Sequence, residues 1–232
     1  MYTTIKPERV SEKVMKQIRQ SIINKEIKKG GALLPEKEMA ELMGVSRSAV
    51  SDAISNLSIL GIIEKRGNGN YIGSDFENIF REPFSLVMAL EEVPFEDITD
   101  IRLNLELLRM EKILKSISSM KLQELDSCCK RFKDASSAVE LMNADKDFHN
   151  CLAKMTNSKL ITILLNSIYS SSMKDVDSSW KTVYKDRSLR RNLIEVHNSI
   201  YTALKAEDPR LVEDAMREHF AFVKEHFNQD DA

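Results

Sequence analysis

The sequence predicts a mainly α-helical protein: an N-terminal winged helix-turn-helix, made of three helices and a small β-hairpin wing, joined to an all-α antiparallel helix bundle. Three observations support this fold class. Residues 33–72 contain two short helical patterns, a glycine turn between them and a hairpin pattern after them. After residue 83, amphipathic helical segments follow one another without a strand pattern. The first 74 residues are also basic, with 12 Lys and Arg against 8 Asp and Glu, whereas the remaining 22 basic residues are outnumbered by 28 acidic ones.

The first helix is predicted over residues 8–23. Val10, Val14, Ile18 and Ile22 recur every four residues there and so form one apolar face. We expect this face to pack against the two helices that follow. A lysine-rich segment, residues 24–31, connects the first helix to the second.

The helix-turn-helix begins at Pro35, since a proline followed by acidic residues favours a helix N-terminus. Gly44 ends this short helix where a C-cap belongs, and Ser46 caps the next helix. The second helix is predicted over residues 47–60. Its apolar stripe consists of Val50, Ala53, Ile54, Leu57 and Leu60.

The opposite face of the second helix is small and polar, with Arg47, Ser48 and Ser51 in or beside its first turn. A recognition helix meets base edges and phosphates with this part of its surface, and small residues allow a close approach. Residues 62–66 and 71–72 flank a glycine and asparagine turn at 67–70, which predicts the hairpin wing. The alternative is an ordinary helical pair followed by a surface hairpin.

The second part of the chain is predicted to be a helix bundle. We expect a DNA-binding domain over residues 1–74, a linker over 75–83 and the bundle over 84–232. Turn residues such as Pro94 and Asn157 separate the helical patterns, so short antiparallel connections are expected. The predicted helices span residues 84–92, 95–118, 121–133, 138–155, 158–172, 178–205 and 209–227.

Composition indicates a cytoplasmic protein. No run of eighteen apolar residues exists, so no membrane association is expected, and residues 1–6 lack the apolar core of a signal peptide. The three cysteines, Cys128, Cys129 and Cys151, have neither the number nor the spacing of a disulfide framework or a zinc knuckle. Reduced buried thiols are the expected state.

Three of the four histidines lie in bundle helices with a common chemistry. Asp145 and His149 are four residues apart, so their side chains share one face of a helix and could bind one ion. His197 and His219 lie among apolar residues, so their imidazoles are predicted to point inward. One carboxylate and three imidazoles would form a site for Zn²⁺ or another first-row ion such as nickel. The alternative is core histidines with local hydrogen bonds, which is the expectation for His226.

Residues 33–72 resemble the DNA-binding domain of GntR-family bacterial transcription regulators, with matches at 36–40, 44–47, 60–63 and 67–69. Two positions depart from the family, which usually has Arg in place of Lys37 and Arg-Glu in place of Ser51-Asp52. The second departure removes a potential guanine contact, so the operator cannot be inferred from relatives. The predicted DNA contacts are Lys37, Ser46, Arg47, Ser48, Ser51, Arg66 and Gly69.

The bundle resembles the FCD ligand-binding domain of the FadR-like branch of these regulators. In its metal-binding members, one Asp and three His hold a divalent ion at the floor of an effector cavity, and Asp145, His149, His197 and His219 match those positions. Arg102 matches an arginine that faces the cavity and could bind an effector carboxylate. The alternative for Arg102 is an intrahelical pair with Glu106. Arg190, two turns before His197, is a second candidate for the effector.

These residues together predict a homodimeric transcription regulator that binds a short palindromic operator in double-stranded DNA and responds to a small carboxylate metabolite. A metal-dependent hydrolase is the alternative of another class, since an open Zn²⁺ position can activate water. That alternative lacks a suitably placed general base and does not require a winged helix. A third possibility is a purely structural metal without an effector.

Overall fold

The computed structural model describes residues 9–74, 76, 79–171 and 176–227. The chain divides into two compact units, Met1–Ile79 and Phe80–Ala232. Residues 1–6, used above for the signal-peptide prediction, lie outside the described residues, as does part of the predicted linker 75–83. The first unit consists of α1 (Val10–Ile23), α2 (Glu36–Met43), α3 (Arg47–Ile59), β1 (Ile63–Arg66) and β2 (Gly69–Ile72).

The turn between α2 and α3 forms where the sequence predicts it. Gly44 has a φ of 65°, a left-handed conformation that glycine adopts without a Cβ penalty, and it ends α2. Ser46 then caps α3, because its Oγ accepts a hydrogen bond from the backbone N–H of Ala49 at 3.2 Å. These two residues fix where one helix ends and the next begins.

The core of the first unit lies between α1, α2, α3 and the hairpin, around the fully buried Val50, Ala53 and Leu57. Two residues of the predicted apolar faces lie outside this core. Val10 is 48% exposed and Leu60 is 54% exposed. Both stand at helix ends, the first residue of α1 and the C-cap of α3, where the helical face no longer points into the core.

The wing is the antiparallel pair β1–β2, in which Ile63 lies opposite Ile72 and Arg66 lies opposite Gly69. The turn between the strands therefore consists of Gly67 and Asn68 alone, two residues shorter than predicted. Gly67 has a φ of 57°, as a tight hairpin turn requires.

All the regular secondary structure in the described part of the second unit is helical. α4 starts at Arg81, inside the predicted linker, and α5 ends at Leu114, four residues before the predicted end. The helices are α4 (Arg81–Leu90), α5 (Phe95–Leu114), α6 (Ser119–Asp134), α7 (Ala138–Met155), α8 (Lys159–Ser171), α9 (Val176–Lys185), α10 (Arg187–Ala206) and α11 (Pro209–Phe227). With the wing of the first unit, these helices confirm the predicted fold class.

The single helix predicted over residues 178–205 is wrong. α9 ends at Lys185, and Asp186 begins a separate helix, α10. The Asp186 carboxylate accepts hydrogen bonds from the backbone N–H groups of Ser188 at 2.7 Å and Leu189 at 3.0 Å. Because these first-turn N–H groups lack intrahelical partners, the aspartate stabilises a new helix start at this point.

The core of the second unit holds the site discussed below. α6 packs against both α7 and α10, and α11 packs against α10 and α5. Phe132, Phe148 and Phe220 from α6, α7 and α11 are fully buried in this core. Over the described ranges, none of the helices combines the length and the hydropathy needed to cross a lipid bilayer.

Candidate metal centre and nucleic-acid interface

Four side chains from three helices meet in the core of the second unit. Asp145 and His149 come from α7, His197 comes from α10 and His219 comes from α11. One ligand atom from each of them lies within 4.8 Å of the others. All four residues are buried, with at most 8% of any of them exposed. We call this group the Asp/His cluster.

The distances within the Asp/His cluster are those of polar contact. Asp145 Oδ1 lies 3.1 Å from His197 Nε2 and 3.8 Å from His149 Nε2. His197 Nε2 also lies 3.2 Å from His219 Nε2. Three ring nitrogens and one carboxylate oxygen therefore face a common point.

The protonation of His197 shows why a cation fits this point. His197 Nδ1 lies 2.7 Å from the carbonyl oxygen of Leu193, which can only accept, so Nδ1 donates. A neutral His197 then carries a lone pair on Nε2, directed at the lone pairs of Asp145 Oδ1. One shared metal ion would satisfy these acceptors together with His219, whose own Nδ1 has no hydrogen-bond partner among the described residues.

The electrostatics of the cluster favour the ligand forms of its members. Burial raises the pKa of Asp145, but the close contact with His197 and the charges of the neighbouring imidazoles outweigh burial and lower that pKa below the ordinary range. Burial, with His197 and His149 nearby, lowers the pKa of His219 well below its usual value. An ionised carboxylate and a neutral imidazole are the forms that bind metal ions. The donor set of three imidazoles and one carboxylate fits a divalent first-row ion.

A buried ion pair on α5 supports His149, and the sequence-based prediction missed this role. Glu106 Oε1 lies 3.4 Å from His149 Nδ1 and accepts a hydrogen bond from Arg109 Nη1 at 3.2 Å. Arg109 Nη1 also donates to the carbonyl oxygen of His149 at 3.3 Å. Burial raises the pKa of Glu106, but Arg109 and His149 outweigh burial and lower it. The carboxylate therefore lies beside Nδ1 of His149, while Nε2 is turned towards the cluster.

The two arginines predicted to bind an effector lie in different surroundings. Arg102 is 7% exposed, its guanidinium stands 5.4 Å from the centre of the Phe220 ring, and its charge helps to lower the pKa of His219. Arg190 instead stacks on Tyr184 and donates a hydrogen bond to the carbonyl oxygen of Ala135 in an open groove. Arg102 therefore acts electrostatically on His219 of the Asp/His cluster, whereas Arg190 contacts other residues.

His226 stays apart from the Asp/His cluster. Its ring packs 4.6 Å from that of Phe222, and its Nε2 lies 3.8 Å from the carboxylate of Glu225. This placement agrees with the expectation of an ordinary histidine with local contacts.

The predicted DNA contacts at the start of α3 are accessible. Arg47 is exposed, and its ion-pair partner among the described residues is Glu36, at 3.5 Å. Ser46 and Ser48 are exposed and their Oγ atoms lie 3.0 Å apart, whereas Ser51 is partly buried. One turn of helix therefore presents a guanidinium and hydroxyl groups without a bulky side chain between them.

The remaining predicted contacts lie on α2 and the wing. Lys37 is exposed and stands 4.0 Å from Glu41 one turn away. Arg66 binds Glu64 at 2.6 Å and stacks 5.6 Å from the centre of the Tyr71 ring, so its orientation is set by two neighbours. A Cβ on Gly69 would approach the Tyr71 ring to 2.8 Å, so this position admits only glycine without a shift of the tyrosine.

Two family models match the chain. The model of bacterial regulatory proteins of the gntR family matches residues 10–72, and the FCD domain model matches residues 97–222, more than half of the chain. The chain belongs to the GntR family and carries an FCD domain. The resemblance inferred from the motifs is confirmed.

Relatives of this GntR protein align over nearly their whole length. The uncharacterized HTH-type transcriptional regulator YcbG of Bacillus subtilis is 27% identical over 224 residues, covering 96% of this chain and 91% of YcbG. The HTH-type transcriptional regulator LutR of the same organism is 28% identical over 210 residues, covering 88% and 94%. The structure of Streptococcus agalactiae GntR matches with a TM-score of 0.66 at 26% identity, covering 93% and 99%.

These findings decide between the two classes of function that the sequence left open. The relatives are transcription regulators, and the same two domains are present here. The protein is a DNA-binding transcription regulator with an FCD effector domain and is not a hydrolase.

Proposed function

We propose that this regulator changes its affinity for an operator when a small carboxylate metabolite binds at a metal ion held by Asp145, His149, His197 and His219. The observation that carries the proposal is the convergence of these four ligand atoms within 4.8 Å in a buried core. DNA binding belongs to residues 1–74 and effector binding to residues 84–232. The metal is a divalent ion, with Zn²⁺ favoured and nickel as the alternative, because imidazole nitrogens suit both.

The effector is a carboxylate because of what surrounds the cluster. Four protein ligands leave positions open on an octahedral ion but none on a closed tetrahedral one, and a carboxylate oxygen can fill an open position. Arg102 supplies a buried positive charge on the side of Phe220, and its guanidinium can bind a second carboxylate oxygen in a fork. Arg190 is not part of this effector site, since its partners are the Tyr184 ring and the carbonyl oxygen of Ala135.

DNA contacts are assigned to the exposed polar surface of α2, α3 and the wing. Arg47 at the start of α3 is the central residue, since it is 73% exposed and stands where a recognition helix enters the major groove. The wing would reach the phosphate backbone or the minor groove beside it. The contact set is Lys37, Ser46, Arg47, Ser48, Ser51, Arg66 and Gly69.

A homodimer on a two-fold symmetric operator accounts for tight binding, because one short helix and one wing bury little surface on their own. α4 offers an apolar surface for a second copy of the chain: Leu86, Val87 and Leu90 are 55%, 50% and 80% exposed. Sedimentation of the free protein and of its DNA complex measures this association. A monomer in both would contradict the dimer.

The test of the regulatory function is a DNA titration at fixed salt. The operator is first selected from random duplexes, and its affinity is then measured with acetate, lactate, succinate or glutarate present or absent. We expect at least one of these acids to change operator affinity by about 5- to 150-fold, the usual range of allosteric coupling.

Arg47→Ala should weaken specific binding to the operator by about 1 to 3 kcal/mol, as loss of one charged contact does.

His197→Ala separates the metal centre from DNA binding. The variant should bind the operator as the wild type does and lose the response to the acid. A variant that responds like the wild type would contradict the effector site at this centre. If the wild type binds metal but its operator affinity changes with none of the acids, the metal has a purely structural role.

A further inference from the structure

A basic groove lies on the outside of the second unit. It has a volume of about 510 Å³ and runs between the C-terminal end of α6 and residues 187–198 of α10. Its lining combines four cationic side chains with one carboxylate and two uncharged residues. These residues are Lys133, Arg187, Arg190, Arg191, Ile194, Glu195 and Asn198.

The positive charge of the groove is not neutralised by its own residues. Glu195 lines it and stands 3.8 Å from Arg191, an exposed pair of little strength. Lys133 and Arg187 have no ion-pair partner within the described ranges. The groove thus carries three net positive charges, although residues 75–232 as a whole are acidic.

Arg190 is held in place within this groove. Its guanidinium stacks 5.1 Å from the centre of the Tyr184 ring and donates one hydrogen bond to the carbonyl oxygen of Ala135. An arginine has five N–H donors, so most of them remain for another acceptor. A guanidinium fixed in this way loses little side-chain entropy when it binds an anion.

We propose that this groove binds a small phosphate-bearing anion with at least two phosphoryl groups. Four cations around one recess exceed what a single carboxylate would neutralise, and arginine forks match phosphate oxygens. The volume lies within the range of small-molecule sites and exceeds the needs of one inorganic phosphate. Ile194 provides an apolar contact for the body of such a molecule. The site is separate from the Asp/His cluster and does not depend on the function proposed for it.

The test is calorimetric titration of the full-length protein with fructose 1,6-bisphosphate at low salt. We expect saturable binding that weakens as salt rises, and binding at least about tenfold weaker in the double variant Arg187→Ala/Arg191→Ala, as loss of two charge-assisted contacts implies. Both arginines are exposed, so the variant should fold normally. Arg217→Ala is the matched control, because Arg217 is an exposed arginine on α11 outside the groove. This variant should bind fructose 1,6-bisphosphate as tightly as the wild type does.

Two further titrations test whether the groove binds a different anion from the proposed phosphate-bearing one. Tricarballylate carries three carboxylates, and if it binds as tightly as the bisphosphate, the assignment to phosphate is wrong. A duplex of random sequence tests the DNA backbone as the occupant. If the double variant loses affinity for that duplex and the wild type does not bind the bisphosphate, the groove is a DNA surface and the proposal fails.

Discussion

At the residue scale, the sequence indicates some metal ligands more directly than others. The four-residue spacing of Asp145 and His149 places both on one face of α7, and spacing alone was sufficient to pair them. His197 and His219 join them only because α10 and α11 pack together, and helical periodicity carries no information on which distant helices meet. Their inclusion came from the apolar residues around each histidine, which predicted inward-pointing imidazoles, and from the family resemblance.

Glu106 and Arg109 show what the sequence-based prediction missed. The prediction named Glu106 only as an alternative partner of Arg102, and its carboxylate also contacts Arg109 and His149. The signal was present in the sequence, since Arg102, Glu106 and Arg109 share one face of a helix at spacings of four and three. Charged residues on an inward face indicate a polar site in the core, because unpaired buried charges are strongly destabilising.

Replacing Glu106 tests whether its carboxylate supports His149 as a metal ligand. Glu106→Gln removes the negative charge beside Nδ1, so His149 becomes a weaker and less well oriented ligand. We expect zinc affinity to fall by about 10- to 100-fold, as is usual when the partner of a metal-bound histidine is lost. A competition titration with a chromogenic chelator measures the affinity.

Glu111→Gln is the matched control, because Glu111 is an exposed carboxylate five residues further along α5. It should leave zinc affinity unchanged. Circular dichroism of the metal-free proteins verifies that both variants retain their helices. Equal zinc affinities in a folded Glu106→Gln variant and the wild type would show that Glu106 does not support His149.

At the scale of elements, the residues that end one helix and cap the next were predictable from the sequence. The break between α9 and α10 was not predicted. Gly44 and Ser46 mark the turn between α2 and α3 by residue type, and the structure has the turn there. The break between α9 and α10 was missed because the apolar period of residues 178–205 continues across it. Asp186 was the local signal, since an aspartate at a helix N-cap accepts hydrogen bonds from first-turn N–H groups, as it does here from Ser188 and Leu189.

The second prediction tests this helix start. Asp186→Ala removes the acceptor for the N–H groups of Ser188 and Leu189 and should lower the free energy of unfolding by about 1 kcal/mol, within a range of about 0.5 to 2 kcal/mol. Chemical denaturation of the metal-free protein measures the change.

Asp186→Ser is the control for the cap, since a serine oxygen can accept the same hydrogen bonds. It should retain most of the stability that the alanine variant loses. Equal losses in the two variants would show that the side chain of Asp186 acts in another way than as a helix cap.

At the scale of the whole molecule, the sequence predicted the mainly helical fold with its wing, and the two family models confirm a GntR domain followed by an FCD domain. The motifs of the first domain are local, so residue type and spacing were enough to identify them. The chemistry of the second depends on contacts between residues on different helices, such as the one from Arg109 to His149, 40 residues further along the chain. Such contacts are set by packing and are not visible in a local pattern.

The central claim is that Asp145, His149, His197 and His219 hold one metal ion. Elemental analysis of protein purified without an affinity tag, before and after dialysis against zinc or nickel, tests it most directly. We predict one ion per chain in the wild type and a large loss in His197→Ala, because three ligands remain in place of four. A wild type that holds no ion after either metal is added, or a variant that holds as much as the wild type, would contradict the claim.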